Sequence, residues 1–527
     1  NEAFHTSLHT AMKARAAEIL PEVIELRRTL HKHPETGFDT GETEKLVKTF
    51  LEREHIAILP SELGVLGLIR GQNHDRIVAL RADMDALPLQ EETGLPYCSQ
   101  IPGKMHACGH DGHTAMLLGT AKILQEYADE LPTDILLIFQ PAEEGPGLGG
   151  AVKMVPQIQN TGLADKIVAA FGQHVSNDYP AGFVALKEGP VAASTDSFDI
   201  TFIGKGGHAG RPNECIDALS AGAKFVTAME SFMSRHTDPF DPCVCSIGIF
   251  QAGTAKGIVA ESAHLAGTIR CQKEETRTYI IDNLKRVAQG VAYATGTECD
   301  IQVKRGVLGL RNDNDMVDYA RSVMDHVVGK DHQIELPHPM MGAEDFSYYA
   351  KEFPAAFYWL GTRNEQKGCT ALLHNAHFNF DESVMQTGME LFCALAVNLK
   401  KCSRVALTSG QFSASASLIK EYRIASAQFG RTIAYIIQTG IHNVPFCFPS
   451  ISSNKIDGNA IPRAGCNGRM WKSKALRLSG ITYKLKEQNK VDVFDKLQKK
   501  KGLSAKLFGN DFAYDAIKQS LCMPIMG

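Results

Sequence analysis

The amino-acid sequence predicts an α/β protein whose main domain contains a mostly parallel sheet flanked by helices. Short apolar runs typical of buried strands occur at 77–80, 134–139 and 167–171, and segments with helical spacing lie between them. Strands that alternate with helices favour a parallel sheet with helices on its faces. An inserted α+β unit and a basic C-terminal tail complete the predicted architecture.

Local signals place several elements of the main domain. Apolar residues recur at helical spacing in 20–33, and Pro34 ends that predicted helix. The Ala- and Leu-rich segment 114–124 predicts a second helix, so residues 108–113 form the loop that enters it. Residues 355–360 predict a further strand.

Residues 188–304 interrupt this alternation. They contain predicted strands at 198–203, 245–250 and 263–270 and a predicted helix at 216–232. The earlier pattern resumes after them. We therefore expect a main domain of residues 1–187 plus 305–400, with residues 188–304 inserted as a separate domain of the α+β class.

The tail, residues 403–527, differs in charge from the rest of the chain. Residues 401–527 contain 20 Lys and Arg against 7 Asp and Glu, whereas residues 1–400 contain 35 against 52. Such a basic segment hints at nucleic acid or an anionic surface. The tail carries no known nucleic-acid-binding motif, so we do not expect that binding and interpret it as an appendage of unknown fold.

The overall composition is that of a soluble globular protein. The chain has 527 residues, of which 44% are hydrophobic and 22% charged. No apolar run reaches the roughly 18 residues of a membrane-spanning helix, so membrane association is not expected. Thirteen cysteines without a repeating spacing favour free thiols and a cytoplasmic location.

Metal-binding side chains follow the predicted strands. Asp83 and Asp85 come after the first run, Glu143 and Glu144 after the second, and His174 after the third. Because the carboxyl ends of parallel strands meet at one edge of a sheet, we expect these side chains to converge.

The loop that enters the second helix adds a thiol and an imidazole to this set. Thiolate, imidazole and carboxylate together suit zinc and its first-row neighbours rather than Ca²⁺ or Mg²⁺. We therefore predict a centre that holds two divalent ions. The predicted ligands are Cys108, His110, Glu144, His174 and a late histidine, either His374 or His377.

Further polar residues are predicted to support this centre. Glu143 neighbours a predicted ligand but cannot point the same way, which makes it the expected general base. Asp83, Asp85 and Asp111 are expected to orient ligands through hydrogen bonds. His208, on a glycine-flanked turn of the inserted unit, is expected to stabilise an oxyanion.

The remaining histidines receive structural interpretations. His106 and His113 lie near the predicted centre, and we interpret them as packing or ligand-supporting groups rather than as ligands. His31 lacks any supporting spacing and is interpreted as a surface or structural residue.

Several short motifs occur in order along the chain: Leu26-Arg27-Arg28 with His31, Pro34–Phe38, Leu80–Pro88, Met105–His113, Gln140–Gly145, Gly206–Ala209, Gly267–Arg270, Gly342–Phe346, and Leu373-His374 with Phe378–Glu382. Through them residues 1–400 resemble the dinuclear metal-dependent amidohydrolases. That family includes hippurate hydrolases, N-acyl-amino-acid amidohydrolases and auxin-conjugate hydrolases, and it is related to the aminoacylase and carboxypeptidase metallopeptidases.

The resemblance implies a more specific site. It implies two divalent ions per subunit (Zn²⁺, Mn²⁺, Co²⁺ or Ni²⁺), with His374 as the last ligand and Glu143 as the acid/base. The resemblance also implies that residues 1–187 plus 305–400 form the catalytic domain and that residues 188–304 form a lid and dimerisation domain, which often pairs subunits into homo-oligomers. His208 is then implied to stabilise the oxyanion from this lid domain. Arg270, suited to a carboxylate, and Glu344 are implied to lie on the substrate side.

Two segments depart from the family pattern. Gly257-Ile258-Val259-Ala260 stands where relatives usually carry Asn-Val-Ile-Pro, and Pro212-Asn213 stands where they often carry Pro-His. Neither contains a predicted ligand. Both bear on how the substrate carboxylate is recognised.

These features predict hydrolysis of the amide bond of N-acyl amino acids such as hippurate or N-acetyl amino acids. A dipeptidase or aminopeptidase-type activity is the alternative within the enzyme class, and the motif around Cys108 argues against it. A catalytically silent scaffold that uses its basic tail is the alternative outside that class. The intact set of ligands and base argues against the scaffold.

Overall fold

The computed structural model describes residues 6–145 and 147–399, and the predictions made for 403–527 lie outside these residues. The helices are α1 (Thr6–Lys32), α2 (Gly41–Arg53), α3 (His110–Glu126), α4 (Ala151–Asn160), α5 (Ala218–His236), α6 (Glu274–Thr295), α7 (Asn314–Val327), α8 (Ser347–Glu352) and α9 (Met385–Asn398). The strands are β1 (Ala57–Leu59), β2 (Val65–Ile69), β3 (Ile77–Asp83), β4 (Asp134–Gln140), β5 (Ile167–Pro180), β6 (Val184–Leu186), β7 (Gly189–Ala192), β8 (Ser194–Ile203), β9 (Gly207–His208), β10 (Cys243–Ala252), β11 (Ile258–Val259), β12 (Ser262–Cys271), β13 (Glu298–Arg305), β14 (Leu310–Asn312), β15 (Gln333–Glu335) and β16 (Ala355–Arg363).

The largest sheet has the strand order β1-β2-β4-β3-β5-β16-β6-β15. Its four central strands, β4, β3, β5 and β16, are parallel to one another. Antiparallel pairings occur nearer its two edges. The predicted α/β class with a mostly parallel sheet is confirmed.

Helices cover both faces of this sheet. Along β3, Val78 and Leu80 face a core with α1, α2, α3, α7 and α9, whereas Ile77 and Ala79 face a second core with α4 and α8. Every residue of β3 is buried. Burial on both faces explains why the strand is a continuous apolar run instead of an alternating one.

A second, antiparallel sheet has the order β10-β12-β8-β13 and lies between Ser194 and Arg305 in the sequence. Helices α5 and α6 pack on it around a core of its own. Helix α5 begins after Asp217, whose carboxylate accepts the amides of Leu219 and Ser220. This N-cap fixes the helix start two residues later than the sequence pattern indicated.

Strand β5 is longer than the sequence predicted. The apolar run ends at Phe171, but the strand continues to Pro180, so His174 lies within the strand instead of after it. Residues 170–176 pair with β16, and most of the polar side chains there are buried. Pairing with a partner strand, which no local signal reveals, extends the strand.

Two observations bear on the wider predictions. Within residues 6–145 and 147–399, no helix combines the length and apolar character needed to cross a bilayer. The nine cysteines of this part of the chain all carry free thiols.

A buried ion pair stabilises the second sheet where the chain returns to the main sheet. The guanidinium of Arg277 donates to both carboxylate oxygens of Asp196, at 2.9 and 2.6 Å, and to the carbonyl of Gly306 at 3.0 Å. Both charged side chains are almost fully buried. Removing Asp196 would leave the buried guanidinium only the half-exposed carboxylate of Glu274, at 3.0 Å, as an ionic partner.

We expect Asp196→Ala to reduce the free energy of unfolding by about 3–5 kcal/mol, because Arg277 loses its carboxylate inside the protein. Urea unfolding followed by circular dichroism measures the change. Asp199→Ala is the control, since Asp199 on the same strand forms an exposed pair with His264 and should cost less than about 1 kcal/mol. Equal losses for the two variants would contradict the expectation.

Candidate metal centre

The five predicted ligands lie together at the carboxyl edge of the main sheet. The ligand atoms of Cys108, His110 and His174 lie within 4.8 Å of one another, and so do those of Cys108, Glu144 and His374. The two groups share the Cys108 thiol, which lies 3.4 Å from Nε2 of His174. One thiol, three imidazoles and a carboxylate thus surround a common region.

Hydrogen bonds fix the ring orientation of two histidines at this region. Nδ1 of His174 donates to the carbonyl of Val175 at 2.7 Å, which leaves Nε2 as its lone-pair nitrogen. Nε2 of His113 accepts the amide of Val175 at 2.9 Å, and its Nδ1 donates to Asp83 at 2.6 Å. His174 therefore offers a ligand atom, whereas both nitrogens of His113 are already used.

Two of the predicted ligands, His374 and Glu144, contact each other directly. Nε2 of His374 lies 2.6 Å from Oε1 of Glu144. His374 has a positive φ of 63°, and its amide donates to the carbonyl of Ala107 at 2.8 Å. A positive φ in a residue other than glycine is uncommon and is found at functional sites.

His377, the alternative to His374, lies elsewhere. Its ring is exposed and contacts the carbonyl and the carboxylate of Glu92. The structure therefore brings His374 to the predicted ligands and leaves His377 on the surface.

Asp85 connects the base to the ligand loops. Its carboxylate accepts the backbone amides of Glu143 at 2.8 Å and Glu144 at 3.0 Å, and it lies 3.5 Å from Nδ1 of His110. The carboxylate of Glu143 lies 4.0 Å from Nε2 of His110. Asp85 thus holds the segment that carries both glutamates beside the imidazole.

Arg81 neutralises the acidic half of the site, and sequence reasoning did not single it out. Its fully buried guanidinium contacts Asp83 at 2.6 Å, Asp345 at 2.8 Å and Glu344 at 3.2 Å. It also donates to Gln140 at 3.0 Å. An arginine inside an apolar strand run was the available signal, because a buried charge requires a partner.

Glu344, predicted on the substrate side, lies next to the predicted base. Carboxylate oxygens of Glu143, Glu344 and Asp345 lie within 4.8 Å of one another. Burial raises the pKa of Glu344 to about 8 although Arg81 opposes the shift. Burial, followed by repulsion from Glu344 and Glu144, also raises the pKa of Glu143 well above its usual range.

The charges of the ligands indicate what the site would bind. Burial and then the carboxylates of Glu144 and Glu143 raise the pKa of the Cys108 thiol. Burial would lower the pKa of His110, but Asp83 and Asp85 outweigh it and raise that pKa to about 10. Negative charge is therefore crowded around the ligand atoms, so these residues fit divalent cations.

Asp111 does not contact a predicted ligand side chain. Its Oδ2 accepts from Nε of Arg27 and from Nδ1 of His31, both at 2.7 Å. His31 is itself fully buried and also contacts Glu91 at 3.3 Å. Asp111, in the first turn of α3, thus turns towards α1. The sequence analysis expected it to hydrogen-bond to a metal ligand instead.

The two residues predicted from the lid domain lie outside this cluster. His208 is exposed, and its Nδ1 accepts the amide of Gly210 at 2.9 Å, which leaves a proton on Nε2. Arg270 is half-buried, and it donates to the carbonyl of Ile269 at 3.2 Å. Within residues 6–145 and 147–399, no carboxylate pairs with Arg270.

Fold and site together define a metal-dependent hydrolase. Residues 79–398 match the model of peptidase family M20/M25/M40, and the chain belongs to this family. The resemblance inferred from the motifs is confirmed, and so is assignment to the hydrolases. The family and the grouped ligands support divalent metal ions as cofactors.

The chain is similar to several relatives along nearly their whole length. It is 36% identical to thermostable carboxypeptidase 1 of Saccharolobus solfataricus over 392 residues, which cover 73% of this chain and 97% of that protein. It is 35% identical to N-acetylcysteine deacetylase of Bacillus subtilis over 400 residues, covering 75% and 98%. A solved Bacillus subtilis structure, described as a dinuclear metal binding peptidase from the M20 family, matches with a TM-score of 0.61 and 33% identity, covering 72% of this chain and 98% of that chain.

Gly109 gives the loop that carries Cys108 and His110 its shape. It has a φ of 83°, and a Cβ at this position would lie 2.3 Å from Cγ2 of Val175. Only glycine adopts that conformation readily, and even a methyl group would displace Val175.

We expect Gly109→Ala to weaken metal binding by at least about tenfold, because the ligand loop must move. Metal content after dialysis, measured by mass spectrometry, checks this. Gly103→Ala is the matched control: Gly103 also has a positive φ, of 72°, but a Cβ there would meet nothing within 4 Å. Full metal content in Gly109→Ala would show that the loop does not hold the ligands.

Proposed function

We propose that this protein hydrolyses the amide bond of N-acyl amino acids, releasing a carboxylate and an amino acid. The observation that carries the proposal is the convergence of Cys108, His110, Glu144, His174 and His374 beside a second carboxylate, Glu143. N-acetylcysteine deacetylase, the Bacillus subtilis relative, acts by its name on such a compound.

The five ligands are proposed to hold two divalent ions, of Zn²⁺, Mn²⁺, Co²⁺ or Ni²⁺. When bound, such ions supply Lewis acidity and lower the pKa of water. The softer thiol and the imidazoles favour these ions over Mg²⁺ or Ca²⁺. Asp83 and Asp85 are proposed to keep the imidazoles in position through the contacts described above.

Glu143 is proposed to move the proton during the reaction. The amide bonds to Asp85 fix its backbone, and its side chain is almost buried beside His110 and Glu344. A carboxylate whose pKa is raised by burial and by neighbouring carboxylates can accept a proton and return it to a leaving amine near neutral pH.

The lid domain, proposed as residues 188–304, is expected to contribute the groups that contact the substrate. The proton on Nε2 of His208 can be donated to the oxygen that becomes negative in the transition state. Arg270 lacks a carboxylate partner among the described residues, so it is available for the substrate carboxylate.

The Gly257 segment lies directly beside His208. Ile258 pairs with His208 in a two-stranded ladder, and the carbonyl of Gly257 accepts the amide of Ala209 at 3.0 Å. A Cβ on Gly257 would meet nothing within 4 Å. There is thus space at this position for a side chain such as the Asn that relatives usually carry, but Gly257 supplies none. We therefore propose that recognition of the substrate carboxylate depends on Arg270.

Peptide cleavage is the second candidate, and the 36% identity to a thermostable carboxypeptidase favours it. An N-acyl amino acid and a dipeptide share the amide bond and the carboxylate, but only the dipeptide has a free amino group. Comparing the hydrolysis of the two compounds therefore distinguishes the two candidate activities. The same panel of substrates tests the silent scaffold, for which no turnover is expected on either.

We propose that the protein forms homo-oligomers through the lid domain and is located in the cytoplasm. The edge strand β10 and helix α5 expose apolar side chains, which supports a subunit contact there: Leu219, Val244, Ile249 and Phe250. The free thiols of the described residues support a reducing compartment.

We expect Glu143→Gln to lower kcat on N-acetyl and N-benzoyl amino acids by roughly 10²–10⁴-fold while metal content stays unchanged. The amide has the shape of the carboxylate but cannot carry the proton. Glu92→Gln, a change at an exposed glutamate that pairs with His377, should retain full activity. Full activity of Glu143→Gln would remove it as the base, and cleavage of free dipeptides alone would favour the peptidase.

We expect His208→Asn to lower kcat by roughly 10²–10³-fold with little change in KM, because the lost donor acts in the transition state. Steady-state kinetics on the best N-acyl amino acid measures both constants. His264→Asn is the control, since His264 is a partly exposed lid histidine paired with Asp199. A change in KM alone would instead assign His208 to substrate binding.

A further inference from the structure

A buried charge cluster lies behind the metal centre, and none of the roles proposed above is assigned to it. At its middle is Arg27 of α1, whose side chain is completely buried. Nε donates to Asp111 at 2.7 Å, Nη1 contacts Glu382 at 3.0 Å, and Nη2 donates to Asn379 at 3.1 Å. The guanidinium also lies 4.3 Å from the ring centre of Phe380.

The partners of Arg27 lie next to predicted ligands on two separate segments. Asp111 directly follows His110 at the start of α3. Asn379 and Glu382 belong to the segment that follows His374. One guanidinium therefore joins the segment of one ligand to the segment of another, although the two are distant in sequence.

Two sets of side-chain hydrogen bonds hold the start of α3. His113 bonds to Asp83 and Val175 on the side of the main sheet, and Asp111 bonds on the side of α1. The N-cap residue is Gly109, so no side chain caps the helix. Asp111 is the acidic residue of that turn, and its bonds go to Arg27 and His31. A movement of Asp111 would be transmitted to the neighbouring His110 through the backbone.

The cluster is a poor candidate for a purely stabilising feature. Buried ion pairs contribute little net stability relative to apolar packing, because burial of the charges costs about as much as their attraction returns. They do impose a definite geometry, since each partner must stay within hydrogen-bond distance.

We propose that Arg27 is a positioning residue that sets the distance between the His110 side and the His374 side of the metal centre. The inference rests on the proposed function, since it assigns metal ligands to both segments. The hydrogen bonds of Arg27 go to none of the predicted ligand side chains, so Arg27 acts through Asp111, Asn379 and Glu382.

The test is a titration of the metal-free, full-length chain with Co²⁺, whose absorption reports ligand geometry and thiolate bonding. The absorption band that disappears in Cys108→Ser identifies the centre among other sites. In Arg27→Met we expect Co²⁺ affinity at this centre to fall by at least about tenfold and the band to shift. Arg27→Lys, which keeps the charge but loses the forked geometry, should restore only part of the affinity.

Arg277→Met is the matched control. Arg277 is an equally buried arginine that pairs with an aspartate, Asp196, but it lies in the lid domain. We expect it to lower the unfolding midpoint as much as Arg27→Met does and to leave the Co²⁺ affinity and the band unchanged. Equal loss of affinity in both variants would assign Arg27 to general stability and overturn the proposal.

Variants of the partners keep the test decisive if Arg27→Met does not fold. Asn379→Ala and Glu382→Gln each weaken one contact of Arg27, and each should reduce Co²⁺ affinity several-fold. Unchanged affinity in both would overturn the proposal. Failure of the unaltered chain to show the Cys108-dependent band would overturn the metal centre itself, and with it the proposed function.

Discussion

Negative charge is concentrated at the carboxyl edge of the main sheet, and the buried guanidinium of Arg81 makes this arrangement stable. It contacts Asp83, Glu344 and Asp345, all of which are buried. Without a cation at this position, three carboxylates would be buried at the cost of several kcal/mol each. The orientation of His113, through Asp83, depends on the same contact.

Parallel strands account for the convergence of the site. Strands β3 and β4 end at the same edge, and the loops that follow them carry Asp85, Glu143 and Glu144. Strand β5 crosses that edge between β3 and β16, and His174 projects from within it. Backbone pairing thus brings these residues close to the site, and side-chain contacts fix their final geometry.

The sequence predicted the parts of this site that depend on local patterns. Apolar runs located the strands, and polar residues after them located the edge where Glu144 and Cys108 meet. The direction of Asp111 could not be predicted in this way, because it depends on α1, which packs from a distant part of the chain. The same reason explains why His31, interpreted as a surface or structural residue, is fully buried.

Resemblance added information that the local patterns lacked, but it did not give the surroundings of each residue. It selected His374 over His377, and the structure brings His374 to Glu144. It assigned Glu344 to the substrate side, and the structure adds that this side chain lies beside Glu143. Which acidic residue a buried arginine contacts is a property of the folded sheet, so no motif expresses it.

The order of the strands has a consequence for synthesis of the chain. Four predicted ligands precede the inserted unit, whereas His374 and the central strand β16 follow it. At about 5–20 residues per second, His374 is made roughly 10–40 s after His174. For most of that interval the nascent main sheet lacks β16, so β5 has an unpaired edge. The four earlier ligands lack their fifth partner until His374 is made.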